Sequence, residues 1–326
     1  MGWIYGSEAL DCRDIDSSSH RSMNAAVKAK LRARLGRCSG GADLQELRGR
    51  TAVITGGGGG IGRSLAFTFA KEGMNIVVSD VDLDAATVVV DEVKALGVRS
   101  LAVKTDVSNK ESVDELADVA YREMGSVHVL CNNAGVVTMK LAQDMSEDDW
   151  DWVIGVNLWG TIHGVEAFVP RMAAAGEGGH VVNTASIAGL VPEAIPGIIS
   201  YTTSKHGVVG LSESLRFDLA GKGIGVTVLC PGGVRTRIGE AGRNRPERFG
   251  GPEAPMLPAA AAPPPAQAPP VPTTMDPDDL AAMVLAAVRN DEMYVLSHAD
   301  TRESVETRFG GLLDAFDAFA AREGSG

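Results

Sequence analysis

A tyrosine and a lysine four positions apart, Tyr201 and Lys205, carry the strongest chemical signal in the sequence. On a helix, positions i and i+4 share one face, so the lysine ammonium would lie beside the phenol. A neighbouring cation stabilises the phenolate and lowers the phenol's pKa from about 10 towards the working range of enzymes. The spacing therefore predicts a general acid/base that exchanges a proton with a substrate oxygen.

Two further polar residues that precede this pair could complete the reaction site. Ser186 follows an apolar run, and its hydroxyl could donate a hydrogen bond to a substrate oxygen as charge develops there. Thr184 is a nearby alternative for this role, and Ser186 could instead serve only the turn at the end of a strand. Asn157 lies inside a predicted helix, where asparagine is disfavoured. Its side chain either anchors a water that relays protons or faces solvent.

A glycine-rich turn after the first apolar run predicts a site for a phosphate-bearing cofactor. Residues 51–55 have the composition of a strand, and residues 63–70 that of a helix. Glycines between them let the backbone approach a pyrophosphate, and the helix N-terminus offers free N–H groups to it. A plain flexible turn is the alternative, which the position between strand and helix disfavours. The predicted contacts come from Gly56, Gly58, Gly59, Gly60, Ile61 and Gly62.

Residues at the ends of later apolar runs extend this predicted cofactor site. Asp80 could accept hydrogen bonds from both hydroxyls of an adenosine ribose and would repel a 2′-phosphate, which predicts NAD rather than NADP. A surface aspartate at the end of a strand is the alternative. Asp106 and Val107 could hold the adenine edge, and backbone groups after the sixth strand could hold the nicotinamide carboxamide. The other predicted contacts are Asn133, Ala134, Gly135, Pro231, Gly232, Val234 and Thr236, with Tyr201 and Lys205.

The elements that must position these residues alternate along the chain from residue 50. Strand-like runs cover residues 51–55, 75–79, 100–104, 127–131, 180–184, 225–230 and 293–296. Helix-like segments cover residues 63–72, 83–96, 110–124, 147–175, 200–220 and 276–289. Continuous apolar runs are typical of strands covered on both faces. The alternation therefore predicts an α/β fold with a doubly wound parallel sheet of about seven strands and helices on both faces.

Three segments depart from the alternation within and around a domain predicted at residues 49–300. Residues 1–48 form a basic extension, predicted to lie outside the core and to be partly disordered, although residues 24–35 could form a docking helix. Residues 235–274 hold five arginines and a proline tract, which predicts a lid or a surface insertion. Residues 301–326 predict an amphipathic helix that packs on the core or at a subunit interface.

Composition and charge exclude several classes of function. The 326 residues are 44% hydrophobic and 22% charged, as expected for one large globular domain. A net charge of −12 argues against nucleic acid as a partner. The four cysteines are widely spaced, which predicts free thiols in a reducing, cytoplasmic setting and no metal site. No apolar run is long enough for an integral membrane segment.

Taken together, these motifs resemble the short-chain dehydrogenase/reductase family over residues 47–296. The likeness rests on the glycine turn, Asn132-Asn-Ala-Gly135, Asn157, Ser186, Tyr201 with Lys205, and Pro231-Gly232. A weaker likeness, in residues 148–157 and 244–250, is to the branch that contains bacterial Cα-dehydrogenases of lignin-derived aryl ethers.

The resemblance implies a Rossmann-type fold and hydride transfer with NAD as the cofactor. It also implies a homodimer or homotetramer that associates through the fourth and fifth helices. The implied catalytic residues are Ser186, Tyr201, Lys205 and Asn157, with Lys205 also binding the nicotinamide ribose.

The leading functional interpretation is an NAD(H)-dependent oxidoreductase (EC 1.1.1.-) that interconverts a secondary alcohol and a ketone. An apolar wall after Ser186 and the weaker likeness favour a bulky apolar, cyclic or benzylic small-molecule substrate. One alternative is a reductase of 3-oxoacyl thioesters or other anionic ketones, with the arginines of residues 235–248 holding phosphate. Another is a non-catalytic NAD-binding sensor or scaffold. The predicted wall comprises Ile187, Ala188, Leu190, Val191, Ile195, Ile198 and Trp159.

Overall fold

In the computed structural model, which describes residue 44 and residues 46–192, 195–254 and 274–323, seven parallel strands form one sheet. The strand order is β3-β2-β1-β4-β5-β6-β7, so the chain changes direction across the sheet between β1 and β4. The strands are β1 (Thr51–Thr55), β2 (Asn75–Asp80), β3 (Ser100–Lys104), β4 (Val129–Asn132), β5 (Gly179–Thr184), β6 (Ile224–Cys230) and β7 (Tyr294–Leu296). Such a change of direction opens a crevice at the carboxyl ends of the strands, where ligands bind in folds of this type.

Helices cover both faces of the sheet, and the predicted Rossmann-type fold is confirmed. The α-helices are α1 (Gly60–Lys71), α2 (Leu83–Lys94), α3 (Lys110–Met124), α4 (Glu147–Ile154), α5 (Gly160–Ala175), α6 (Ile199–Asp218), α7 (Pro277–Asn290) and α8 (Arg302–Glu323). The segment predicted as one helix over residues 147–175 is α4 and α5, joined by a π-helical turn at Gly155–Trp159.

Alternate residues along each central strand point to opposite faces of the sheet. In β1, Ala52 and Ile54 pack in the layer that includes α1, α2 and α7, whereas Val53 packs in the layer that includes α3, α5 and α6. All three side chains are fully buried. This double coverage explains why the strands are continuously apolar in sequence.

The core begins earlier in the chain than the sequence pattern indicates. Leu44 and Leu47 are each 1% exposed and belong to the layer that packs on α1 and α7. The prediction that residues 1–48 lie outside the core is therefore wrong for the C-terminal end of that segment, because these two leucines are part of the core. The predicted docking helix at residues 24–35 lies outside the described residues.

Helix α8 does not bury the apolar side chains that recur along it. Phe309 is 48% exposed, Phe316 is 73% exposed and Phe319 is 61% exposed. Arg308 near the start of α8 donates a hydrogen bond from Nη1 to the Leu190 carbonyl at 2.5 Å. Packing on the core is thus excluded for the described part of this helix, and packing at a subunit interface stays a prediction.

Candidate active site

A cleft of about 310 Å³ opens at the carboxyl ends of the strands, where the sheet changes direction. Every residue predicted for catalysis or for cofactor binding lines this cleft except Gly62 and Asn157. The loops that follow β1 to β6 each contribute to its walls. Parallel strands bring their carboxyl ends to one edge of a sheet, which explains how residues so far apart in sequence meet there.

Within the turn after β1, individual glycines meet different physical demands. Gly56 has φ +61°, and a Cβ there would lie 2.7 Å from the Cα of Ala134. A Cβ at Gly62 would lie 2.2 Å from the carbonyl oxygen of Gly56. Gly59 has an extended backbone, and a Cβ there would meet nothing within 4 Å. No side chain caps α1, and its first residues, Gly60 and Ile61, line the cleft, so its uncapped N-terminus fits a phosphate group.

A methyl group at position 62 should damage this turn. In Gly62→Ala, the new Cβ would collide with the Gly56 backbone, which cannot move aside as a side chain would. Overpacking of this kind costs about 1–3 kcal/mol. We expect a lower melting temperature in circular dichroism and weaker binding of the predicted dinucleotide cofactor in a fluorescence titration.

Gly210→Ala is the matched control, because a Cβ at this helical position meets nothing within 4 Å. Since mid-helix glycine is less stable than alanine by roughly 0.5–1 kcal/mol, this variant should be neutral or more stable. If both variants lose stability equally, the collision in the turn is not the cause.

The ends of β1 and β4 are tied together beside the turn. Thr55 Oγ1 accepts hydrogen bonds from the backbone N–H groups of Asn133 and Ala134, at 3.0 and 3.1 Å. Asn133 Nδ2 donates in return to the carbonyl oxygens of Thr55 and Gly56, at 3.0 and 3.2 Å. These contacts span the point where the sheet changes direction and fix the floor of the cleft.

Asp80, at the end of β2, binds the glycine turn as well as lining the cleft. Its Oδ2 accepts from the Gly58 N–H at 2.9 Å, and its Oδ1 accepts from the Asp82 N–H at 3.0 Å. A Cβ at Gly58 would lie 2.9 Å from that carboxylate, which explains the glycine there. The carboxylate therefore holds the turn, a structural role that sequence reasoning missed, and its contact with a ribose stays a prediction.

Asp106, predicted to hold an adenine edge, is bound by donors from two directions. Its Oδ1 accepts from the N–H and the hydroxyl of Ser108 at 3.0 and 2.6 Å, and its Oδ2 accepts from Arg248 Nη2 at 2.6 Å. Burial favours a higher pKa for Asp106, but the hydrogen bonds from Ser108 and Arg248 outweigh it and hold the pKa below its usual range. Asp106 is therefore a carboxylate at neutral pH.

Tyr201 and Lys205 lie in the first turns of α6, as their spacing predicts. Lys205 is 2% exposed, and its Nζ donates to the carbonyl oxygen of Thr184, the last residue of β5, at 2.8 Å. The same Nζ lies 5.6 Å from the centre of the Tyr201 ring. Burial lowers the pKa of Lys205 to about 8. The ammonium form thus predominates at neutral pH and faces the ring that it is predicted to tune.

Ser186 is buried at the start of the 3₁₀ turn Ile187–Gly189. Its Oγ accepts from the Ala188 N–H at 3.2 Å and donates to the Pro231 carbonyl at a long 3.4 Å. The alternative, Thr184, also lines the cleft, but its hydroxyl contacts Asn133 Oδ1 and its carbonyl contacts Lys205. Each hydroxyl thus has one long acceptor contact of 3.4 Å, and the choice of Ser186 over Thr184 as donor to a substrate oxygen stays a prediction.

Asn157 is fully buried in the π-helical turn and does not face solvent. Its Oδ1 accepts from the Val136 N–H at 2.8 Å, and its Nδ2 donates to the Val136 carbonyl at 2.9 Å. Nδ2 also donates to Ser204 Oγ, on α6, at 3.0 Å. The side chain thus holds the loop after β4 against the helix that carries Tyr201, and the predicted water relay stays a prediction.

The predicted apolar wall after Ser186 is wrong, because none of its residues lines the cleft. The 3₁₀ turn directs Ile187 and Ala188 into the interior, while Trp159 is 51% exposed and stacks on His163. The apolar lining that sequence reasoning missed includes Trp152 and Val156, whose i, i+4 spacing on one helical face was an available signal. We call the part of the cleft that these residues line its substrate end: Val136, Trp152, Val156, Ile238 and Ala241.

The described part of the arginine-rich segment, residues 235–254, covers one side of the cleft. Arg245 is almost fully buried, pairs with Asp149 at 2.7 Å and Glu253 at 2.8 Å, and lies 5.1 Å from the Trp152 ring centre. Arg235 pairs with Asp276, and Arg237 with Glu240. Together with the Arg248–Asp106 pair, carboxylates thus contact four of the five arginines, whereas Arg243 lines the cleft and donates to the Glu240 carbonyl. The proline tract at residues 255–273 lies outside the described residues.

Metal-ligating side chains, thiols and long helices are the remaining features of the described part of the chain. No cluster of three or more His, Cys, Asp and Glu side chains there could hold a metal ion. Cys131 and Cys230 are buried free thiols, and burial raises the pKa of Cys230 to about 12. Within the same residues, no helix combines the length and apolar character required to cross a membrane.

Known proteins with similar sequences and structures include several dehydrogenases. The family model described as short chain dehydrogenase matches residues 50–247. A C alpha-dehydrogenase from Sphingobium sp. is 32% identical over 275 residues, which cover 83% of this chain and 88% of that protein. A cyclohexanol dehydrogenase from Acinetobacter sp. is 40% identical over 190 residues, covering 58% of this chain and 74% of that protein.

Among solved structures, a short chain dehydrogenase/reductase from Burkholderia phymatum in complex with NAD has a TM-score of 0.72 with this chain. The two are 37% identical, and the match covers 82% of this chain and 95% of that one. The similarity therefore extends over nearly the whole of a protein crystallised with a nicotinamide cofactor.

Proposed function

Since the chain belongs to the short-chain dehydrogenase family and is related to the bacterial lignin-dimer dehydrogenases, we propose that it is an NAD(H)-dependent oxidoreductase of secondary alcohols and ketones. The observation that carries this proposal is the buried Lys205 ammonium, 5.6 Å from the Tyr201 ring centre, in a cleft shared with the glycine turn. A sensor that turns over nothing would have no use for a tuned phenol.

In this proposal, the cofactor lies along the cleft. The turn from Gly56 to Gly62 and the N-terminus of α1 hold the pyrophosphate, Asp80 binds the adenosine ribose, and Lys205 binds the nicotinamide ribose. The backbone after β6, from Pro231 to Thr236, holds the carboxamide. When bound, NAD supplies an acceptor for the hydride of the alcohol carbon.

The protein's own residues manage the proton and the developing charge. Tyr201 takes the hydroxyl proton as the carbon loses its hydride, and it returns a proton to the oxygen in the reverse reaction. Lys205 stabilises the phenolate form of Tyr201. Ser186 donates a hydrogen bond to the substrate oxygen, where preorganised donors stabilise charge most effectively. Asn157 keeps the loop after β4 in place against α6.

We propose a bulky apolar substrate, cyclic or benzylic. The substrate end of the cleft is lined by Val136, Trp152, Val156, Ile238 and Ala241, which favour a hydrocarbon ring. The cyclohexanol dehydrogenase among the relatives supports this class. The carboxylate partners of Arg235, Arg237 and Arg245 weigh against a 3-oxoacyl thioester or another anionic ketone.

The test is turnover of a panel of alcohols with NAD, followed at the nicotinamide absorbance. Cyclohexanol and 1-phenylethanol should be oxidised, and a 3-hydroxyacyl thioester should react at least about tenfold more slowly. NADH binding is measured in parallel by fluorescence. Binding without turnover of any substrate would favour the sensor, and preference for the thioester would favour the alternative enzyme.

Asp80 should set the preference between the two nicotinamide cofactors. Because its carboxylate would repel the 2′-phosphate of NADP, we expect kcat/KM with NAD to exceed kcat/KM with NADP by at least about tenfold. Asp80→Asn should narrow this ratio while keeping one acceptor for the Gly58 and Asp82 N–H groups. Asp84→Asn, an exposed residue on α2 outside the cleft, is the control and should leave the ratio unchanged. A wild-type preference for NADP would contradict the assignment.

We further propose a cytoplasmic homodimer or homotetramer, as the family resemblance implies. The exposed apolar side chains of α8 support self-association, since they would otherwise remain in water.

A further inference from the structure

The segment from Thr236 to Gly251, here called the strap, crosses the cleft from the end of β6 towards the end of β3. At its start, Thr236 packs on the glycine turn: a Cβ at Gly60 would lie 3.1 Å from Thr236 Cγ2. At its far end, Phe249 lies 3.9 Å from where a Cβ at Gly155 would be. Between them, Ile238, Ala241, Arg243, Asn244 and Pro246 line the cleft.

One attachment of the strap is buried. The side chain of Arg245 is 3% exposed and that of Asp149 is 1% exposed, and the two pair at 2.7 Å. Lys140 joins the same carboxylate at 2.7 Å, and Arg245 also binds Glu253 and the Phe249 carbonyl. Breaking such a buried pair leaves an uncompensated charge, so this attachment stays closed while the protein is folded.

A second attachment is open to solvent. Arg248 Nη2 donates to Asp106 Oδ2 at 2.6 Å and to Ser108 Oγ at 2.8 Å, and both acceptors follow β3. The Arg248 side chain is 49% exposed and that of Asp106 is 24% exposed. Exposed ion pairs are weak and screened by salt, so this contact can open while the buried one holds.

We propose that Arg248 is a positioning residue for the cofactor: it fixes Asp106 at the adenine end and closes the strap with a releasable ion pair. This inference rests on the proposed function. A dinucleotide extending from Gly232 to Asp106 lies beneath the strap, because both residues and the strap line one cleft. Cofactor exchange then requires the Arg248–Asp106 pair to open. The strap residues at the alcohol end, Ile238 and Ala241, precede the buried Arg245 attachment, so they keep their place when that pair opens.

Three variants test the role of Arg248. Arg248→Ala removes the pair, and Arg248→Lys keeps the charge while losing the planar fork. Arg302→Ala is the control, since Arg302 is an exposed arginine in an ion pair with Glu306 and lies outside the cleft. Measurements are NADH dissociation in stopped-flow fluorescence at about 20 and 500 mM salt, KM for NAD, KM for cyclohexanol and melting temperature.

We expect Arg248→Ala to speed NADH dissociation and to raise KM for NAD by about two- to fivefold. KM for cyclohexanol and the melting temperature should match those of Arg302→Ala. Salt should speed NADH dissociation in the wild type and have less effect in Arg248→Ala, because the screened pair is gone. Arg248→Lys should restore part of the wild-type behaviour.

The outcomes separate this inference from the proposed function. Unchanged NADH dissociation in Arg248→Ala, or an equal rise of both KM values, would overturn the role of Arg248 alone. A wild type that binds NADH with the expected salt dependence but oxidises no alcohol would overturn the proposed reaction. The role of Arg248 in closing the strap over the cofactor would then still stand. A wild type that binds no NADH would overturn both.

Discussion

Replacing Tyr201 with phenylalanine should lower kcat/KM for alcohol oxidation by about 10²–10⁴-fold, the usual contribution of a general acid/base. The change removes one hydroxyl and keeps the ring that lies 5.6 Å from Lys205 Nζ. The fold and NADH binding should therefore survive. The measurement is steady-state oxidation of cyclohexanol, with NADH affinity taken from fluorescence titration.

Tyr121→Phe provides a matched control, since it makes the same chemical change on α3, outside the cleft. The only hydrogen bond of its hydroxyl among the described residues is a long one, 3.5 Å to the Phe168 carbonyl, so activity should stay near wild type. If Tyr201→Phe kept more than about a tenth of the activity, another group would have to be the acid/base.

Lys205→Met should lower kcat/KM by at least about 10²-fold near neutral pH, because the phenol loses its neighbouring cation. The fold should tolerate the change: burial lowers the pKa of Lys205 to about 8, so the wild type carries a buried charge that methionine lacks. KM for NAD should also rise, since Lys205 is the proposed ligand of the nicotinamide ribose.

The pH dependence of this loss has a definite sign. Lys205 is an ammonium below about pH 8 and loses its charge above it. The wild type therefore exceeds Lys205→Met in activity by the largest factor only below that pH. The ratio of wild-type to Lys205→Met activity should therefore be largest below pH 8 and fall towards pH 10. Without the cation, the phenol's pKa is higher, and the optimum of the variant should move to more alkaline pH.

Lys222→Met serves as the control, since it removes an exposed lysine from the loop after α6. It should reproduce the wild-type pH profile. A wild-type to Lys205→Met ratio that stays constant from pH 6 to 10 would show that Lys205 acts through the ribose alone.

The sheet and the cofactor end of the cleft were accessible from sequence because their signals are local. Apolar runs, a glycine turn and a Tyr201/Lys205 pair each depend on a few neighbouring residues. Apart from the unpredicted π-helical break at Gly155–Trp159, the predicted boundaries of the described strands and helices differ from the observed ones by at most three residues. The parallel topology then brings the strand ends together without further information.

The features that sequence reasoning missed depend on long-range contacts. The direction in which Ile187 and Ala188 point is set by the 3₁₀ turn and its packing, not by their apolar character. The sequence predicts that Asn157 binds a water or faces solvent, because it does not reveal the contact with Val136, 21 residues away. Leu44 and Leu47 precede the first strand, in a segment without the hydrophobic periodicity of a helix or strand, so the sequence does not indicate that they are buried.

The acceptor that aims Lys205 is a main-chain atom, the carbonyl oxygen of Thr184. No substitution at position 184 deletes that oxygen, so a deep mutational scan should score the position as tolerant of small polar replacements. Selection would then act on the path of β5 rather than on the identity of one residue. A backbone atom can thus be required for the reaction although the residue type at its position varies freely.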